Sequence, residues 1–285
     1  MIGRLVASSR PLSWINTAFP FAAAYVLVTG RVDVALVVGT VFFLVPYNLA
    51  MYGINDVFDY PSDLRNPRKG GVEGALLAPE LHRPTLVASA LACAPFVVAL
   101  VVLGSWPSWI VLAVSLVAVV AYSAPPLRTK ERPFADSMTS STHFVSPAVY
   151  GLVLADATWT PQLVALLAAF FLWGMASHAF GAVQDVVPDR EADIASIATV
   201  LGAARTTRLA IGMWIGAGLL MLLTGWPGVL AAVLAIPYVI AAWPYRSVSD
   251  ADSGRANGGW RWFLGINYAC GFVVTMLCIL YAFTR

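Results

Sequence analysis

The feature that most constrains this chain is a repeated absence of charge. Asp, Glu, Lys and Arg are missing from residues 11–30, 34–55, 84–127, 137–155, 157–184, 209–245 and 262–284. A helix that crosses a bilayer needs about 20 apolar residues, because its backbone polar groups must be satisfied within the segment. Five of the stretches hold one such helix each. The other two, 84–127 and 209–245, are about twice that length and carry central turn signals, Gly104-Ser105-Trp106-Pro107 and Gly225-Trp226-Pro227-Gly228, so each reads as a tight helical hairpin. The expectation is an all-α integral membrane protein: nine transmembrane helices bundled around a central cavity, with residues 1–285 as one domain. Composition agrees, since charged residues make up 11% of the chain against about 25% in soluble domains.

Nine spans put the termini on opposite sides. On that layout Arg4, Arg10, Arg65, Arg68, Lys69, Arg83, Arg128, Lys130, Arg132, Arg190, Arg205, Arg208, Arg246, Arg255 and Arg261 share the N-terminal side, and Arg31 and Arg285 fall on the other. The positive-inside rule then makes the N-terminus cytoplasmic in a multi-pass cell-membrane protein. The net charge of +2 adds nothing further, and no nucleic-acid partner is expected. Cys93, Cys270 and Cys278 fall within spans as packing residues. The first apolar stretch lacks a clear small-residue cleavage site and reads as a retained helix.

Two acid clusters stand where apolar runs end. The first is Asn55-Asp56-Val57-Phe58-Asp59-Tyr60-Pro61-Ser62-Asp63, and the second comprises Asp185, Asp189 and Asp193 with Pro188 among them. On a helix Asp59 and Asp63 lie one turn apart, about 6 Å along the axis. Pro61 requires the helix to end, kink or unwind there. Acids and irregular backbone persist at a membrane boundary only where they line a polar cavity or reach water. The pair of clusters points to one shared divalent-cation site built from Asp56, Asp59, Asp63, Asp185, Asp189 and Asp193. Magnesium is usually held by one or two carboxylates plus substrate phosphates, so six acids suit two or three ions bridging one diphosphate.

Cations near these clusters fit the same picture. Arg65, Arg68 and Lys69, beside Gly70 and Gly71, could close over a diphosphate; equally, they are ordinary members of a solvated cytoplasmic loop. Tyr122, Arg128 and Lys130 flank a Pro125-Pro126 turn and read either as interfacial anchors or as a clamp for phosphate oxygens. Charge placed around a diphosphate stabilises it as a leaving group, so an allylic diphosphate would ionise to a delocalised cation. Such a reaction needs no protein nucleophile. His143 reads as a satisfied histidine of the bundle, and His178, about two turns before the second cluster, as a packing residue or a neighbour of the site.

The motifs Asn55-x3-Asp59-x3-Asp63 and Asp185-x3-Asp189, the Tyr122 to Lys130 segment and the span count together resemble the UbiA superfamily of intramembrane prenyltransferases. The resemblance implies magnesium on the aspartates and diphosphate held by Asn55, Tyr122, Lys130 and Arg65, Arg68 or Lys69. This chain departs from the pattern at Gly181, where many members carry Asn or Asp, and Asp193 extends the second motif by a turn. Pro46-Tyr47-Asn48-Leu49-Ala50-Met51-Tyr52-Gly53-Ile54 and Asn66-Pro67-Arg68-Lys69-Gly70-Gly71 are similar to the lycopene elongase branch. That likeness implies dimethylallyl diphosphate as donor, lycopene as acceptor and C50 carotenoids as products, with the bilayer as surroundings. A ring acceptor, as for quinone, chlorophyll or haem tails, is the alternative. A transporter would call for ionisable groups near mid-bilayer, whereas Asp and Glu are confined here to expected helix ends and loops.

Overall fold

A computed structural model describes residues 2–64 and 76–284. Arg65, Asn66, Arg68, Lys69, Gly70 and Gly71 therefore lie outside the described residues. Among those described, regular structure is helical throughout: α1 Ile2–Ser8, α2 Ile15–Thr29, α3 Val34–Leu44, α4 Pro46–Phe58, α5 Tyr60–Asp63, α6 His82–Leu103, α7 Trp106–Ser123, α8 Ala135–Leu154, α9 Pro161–Val183, α10 Val186–Glu191, α11 Ile197–Leu201, α12 Ala203–Met221, α13 Ala235–Ala242 and α14 Asn257–Thr284, with short 3-10 turns between some of them.

Seven helical segments among these residues are long and apolar enough to cross a bilayer: Pro11–Thr29, Val34–Phe58, Pro79–Leu103, Trp106–Ser123, Pro161–Val183, Gly228–Tyr245 and Ser253–Thr284. The protein is thus a multi-pass membrane protein. The expected count of nine differs from these seven at α8 and α12. Both have spanning length, 20 and 19 residues, but Ser140, Ser141, Thr142 and His143 dilute the first, and Arg205, Thr206, Thr207 and Arg208 the second. Both expected turns form, α6 to α7 across Gly104–Ser105 and α12 to the Gly228–Tyr245 span across residues 222–227; α12 packs on that span, whereas α6 and α7 each pack chiefly on α4.

The chain packs as two compact units, Met1–Thr129 with Thr142–Ala157, and Lys130–Ser141 with Thr158–Arg285. The first unit is built on aromatic rings. Phe43 lies 5.3 Å from Phe21, 4.9 Å from Phe42 and 5.2 Å from Tyr47, centroid to centroid, at tilted or edge-on angles, the arrangements ring quadrupoles favour. Gly39 admits the Phe21 ring so closely that any Cβ there would overlap it. Between α3 and α4 the helix breaks at Val45, because Pro46 brings no N–H to continue the ladder. Asn48 closes the break, its Nδ2 donating to Phe43 O at 2.8 Å and Leu44 O at 3.0 Å while also meeting Thr17 Oγ1 at 2.7 Å. A polar side chain thus serves backbone carbonyls that lipid cannot satisfy.

In the second unit α9 packs along α12, and Trp214 is buried among Phe180, Tyr238 and Phe263 at centroid distances of 5.7, 5.6 and 6.3 Å. The start of α8 meets α9 through small residues: Ser141 Oγ donates to Phe171 O at 2.6 Å, and a Cβ on Gly174 would collide with Ser141. Small residues at such crossings let helices approach in lipid, where no hydrophobic force draws them together.

Replacing Gly39 by Leu should displace the Phe21 ring and destabilise the first unit by about 1–3 kcal/mol, the usual range for overpacking. A thermal midpoint in detergent at or above the wild-type value would contradict the Phe21–Gly39 packing.

Candidate active site

The first acid motif sits on a helix that stops where the sequence requires. The α4 helix ends at Phe58, Asp59 is its C-cap, and a single turn, α5, carries the chain to Asp63 past Pro61. Helical spacing survives the break: Asp59 N donates to Asn55 O at 2.9 Å and Asp63 N to Asp59 O at 2.8 Å. Asn55, Asp59 and Asp63 therefore follow one another a turn apart, and both carboxylates are buried, at 5% and 6% exposure. Asn55 Nδ2 donates to Asp59 Oδ2 at 2.5 Å and to Ser123 Oγ at 3.0 Å. Arg128, in a left-handed backbone conformation after the Pro125-Pro126 turn, brings its guanidinium to 4.0 Å from Asp59 Oδ1. Tyr122 is half-buried, its ring edge-on to His143 at 5.3 Å. Within the first unit, Asn55, Asp59, Arg128 and Ser123 thus form one polar cluster.

Asp56 points elsewhere. Its Oδ2 accepts from Ser8 Oγ at 2.8 Å and its Oδ1 meets Arg10 Nη2 at 3.0 Å, with the carboxylate 1% exposed. The Arg10 guanidinium also lies 4.3 Å over the Tyr52 ring, a cation–π contact. This acid fastens the N-terminal helix α1 to α4.

In the second unit Asp185 caps α10 and Asp189 lies one turn on, its N–H donating to Asp185 O at 2.9 Å; both side chains are half-buried. Asp193 does not join them. The helix ends at Glu191, Asp193 adopts a left-handed conformation and its side chain is exposed, so the four-residue spacing does not continue onto the same face. Arg190 turns outward, donating to Thr199 O at 2.7 Å and pairing with Asp250 Oδ2 at 2.7 Å, while Asp250 Oδ1 accepts from Ala203 N at 2.7 Å. Gln184 accepts from Asn257 Nδ2 at 2.6 Å. Lys130 sits half-buried in the 3-10 turn Thr129–Glu131.

Sequence reasoning overlooked several of these partners. Ser8, Arg10, Ser123 and Asp250 each act on a motif residue or its neighbour from 46 to 68 positions away. Asp136, at the start of α8, is fully buried, with Oδ1 accepting from Ser137 N at 2.6 Å and Oδ2 from Ile197 N at 2.7 Å. Among the described residues no three Asp, Glu, His or Cys side chains are gathered as a ready-made metal cage. The pairs Asp59–Asp63 and Asp185–Asp189 nonetheless fit magnesium, a hard cation that takes oxygen ligands from one or two carboxylates and fills the rest of its shell from phosphates and water.

An all-helical multi-pass membrane protein that ends spanning helices in aspartate pairs is the class these features define. Residues 17–268 match the UbiA prenyltransferase family, and the chain belongs to that family. It is 54% identical over 280 residues, 98% of its length, to the C(50) beta-cyclic carotenoids biosynthesis protein LbtBC of Dietzia sp., of which it spans 65%. It is 50% identical over 275 residues to a lycopene elongase/hydratase of Corynebacterium glutamicum, covering 96% of both chains. Among solved structures it is similar to a UbiA homolog from Archaeoglobus fulgidus bound to DMAPP and Mg2+, with a TM-score of 0.68 at 17% identity over 94% of this chain and 98% of that one.

The Ala203 N–H, followed by Arg190, holds the Asp250 carboxyl below its ordinary value of 3.8. A depressed carboxylate contributes stability that is present above the unfolded value and is lost as pH falls through the folded one. Asp250→Ala should therefore lower the thermal midpoint at about pH 7, with the gap to wild type closing below pH 3.8. A gap that stays constant with pH would contradict the account.

Proposed function

We propose that this chain is a magnesium-dependent prenyltransferase that moves a dimethylallyl group from dimethylallyl diphosphate to the ends of lycopene, in the formation of C50 carotenoids. The observation that carries this reading is the buried Asn55–Asp59–Asp63 ladder at the end of a spanning helix, with Arg128 turned toward it. The acceptor rests on the likeness, over 96% of both chains, to a lycopene elongase/hydratase. This chain spans 65% of the Dietzia protein, so that protein's whole activity is not carried over to it.

In this reading Asp59, Asp63, Asp185 and Asp189 hold the ions. Arg128, Lys130 and Tyr122, together with Arg65, Arg68 and Lys69, take the remaining phosphate oxygens, and Asn55 orients Asp59. Magnesium, when bound, neutralises the charge that builds on the departing diphosphate. Asp56 acts as a structural anchor through Ser8 and Arg10, and Asp193 stands apart from the ligand set. Apolar helix surfaces keep water from the dimethylallyl cation until the terminal alkene of the acceptor attacks it. That attack leaves a tertiary cation, which loses a proton or captures water. The distribution of basic residues supports a cytoplasmic N-terminus and an active site open to soluble diphosphates.

The test is conversion of lycopene by the purified protein in lipid with dimethylallyl diphosphate and magnesium. Asp59→Ala and Asp189→Ala should each lower product at least a hundredfold while still inserting into membranes, the scale on which losing charge-stabilising groups acts. Wild-type turnover in both variants contradicts the proposal. If an aromatic acid gains the mass of a dimethylallyl group and lycopene does not, the acceptor is a ring.

A further inference from the structure

Near the end of α9, His178 and Gly181 lie three residues apart and so on one helix face, and Asp185 follows two residues after the helix ends. Gly181 is roofed by an aromatic ring: a Cβ there would meet two Trp260 ring carbons at 3.1 Å, and Trp260 stacks on Phe263 at 4.5 Å and 10°. Next on that face comes the imidazole. His178 is partly accessible, while its neighbours Ser177 and Ala179 are buried. Its Nδ1 lies 3.1 Å from Ser137 Oγ. Ser137 in turn is fixed by Asp136, whose carboxylate is fully buried and accepts the N–H groups of both Ser137 and Ile197. A polar chain of this kind within a membrane segment is costly and ordinarily functional.

We propose that His178 is the proton acceptor that completes prenyl transfer, with Ser137 as the residue that positions it. The proposal rests on the reading of the reaction given above. Once the dimethylallyl carbon has left its diphosphate oxygen and bonded to the terminal alkene carbon of the acceptor, a tertiary cation remains. In this proposal His178 carries its proton on Nδ1, donated to Ser137 Oγ, and reacts through Nε2. That nitrogen takes a proton from a carbon adjacent to the cation, and the C–H electron pair becomes the new double bond. In the hydrating branch the oxygen of water bonds to the cation and Nε2 takes the proton that water sheds. Either way imidazole becomes imidazolium and the product is neutral. General bases so placed contribute about 10²–10⁴ in rate.

The experiment follows diphosphate release and elongated carotenoid separately, using the full chain in lipid with dimethylallyl diphosphate, magnesium and lycopene. With His178→Gln, elongated product should fall at least tenfold while diphosphate release falls less than threefold and dimethylallyl alcohol from water capture accumulates. Ser137→Ala should lower product several-fold with KM for dimethylallyl diphosphate unchanged, a split that simple misfolding would not give. If the first variant is not recovered folded, the second carries the test on the same two readouts. Product within twofold of wild type in His178→Gln overturns this inference alone, as does parallel loss of product and diphosphate release. Wild-type protein that never elongates lycopene overturns the underlying reading and this inference with it.

Discussion

Holding carboxylates out of water at the ends of apolar helices is the constraint on which the rest of this structure depends. The effective penalty for burying one ion is several kcal/mol, and Asp56, Asp59, Asp63 and Asp136 are all 6% exposed or less. The solutions differ in kind. Asp136 takes two backbone N–H groups and becomes a fixed joint between the start of α8 and α11. Asp56 takes a guanidinium and a hydroxyl from the N-terminal segment, closing α1 onto α4. Asp59 is met by an amide one turn back and by a guanidinium at the longer distance of 4.0 Å. The first two arrangements make architecture; the third has the chemistry of a ligand site.

Backbone breaks are managed by the same logic. Pro46 interrupts the second span, and Asn48 supplies the hydrogen bonds that the interrupted helix lacks. Pro61 ends α4 at the motif itself, so that Asp59 and Asp63 sit on a turn at the helix end. In the second unit the chain reverses at Ala192 and Asp193, leaving Asp185 and Asp189 as a pair. Close helix crossings rest on glycine and serine, at Gly39 under Phe21 and at Gly174 against Ser141. Aromatic rings fill the remaining volume, and Trp260 occupies the space over Gly181.

Much of this was legible in the sequence. Charge-free runs mark the spans because lipid tolerates few ions, and Gly-Pro signals mark the turns at residues 104–105 and 222–227. The stop at Pro61 and the one-turn spacing of Asp59 and Asp63 follow from local stereochemistry alone. The apolar signal failed where function or packing demanded polar residues: α8 and α12 have spanning length but are diluted by Ser, Thr, His and Arg. Spacing alone did not show the αL turn that Asp193 adopts after α10, since an interval of four does not encode it. Long-range pairs were invisible for a simpler reason. Ser8 and Asp56 are 48 residues apart, and Asp136 and Ile197 are 61 apart, so no local pattern announces them. The partners of Asp56, Ser8 and Arg10, lie 48 and 46 residues away from it in the sequence.

Chemically, the account asks little of the protein beyond charge placement and the exclusion of water. An allylic diphosphate ionises when its leaving group is stabilised, and in the proposed reaction the aspartates, amide and cations at helix ends would supply that stabilisation with magnesium bound. The central claim is that both aspartate pairs serve the metal–diphosphate complex. Its most direct test is manganese binding, followed by paramagnetic resonance, in wild-type protein, Asp59→Asn and Asp185→Asn, each with and without a non-hydrolysable dimethylallyl diphosphate analogue. The account predicts tight binding in wild type only when the analogue is present, and its loss in either variant. Manganese bound as tightly by both variants as by wild type, with the analogue present, would contradict it.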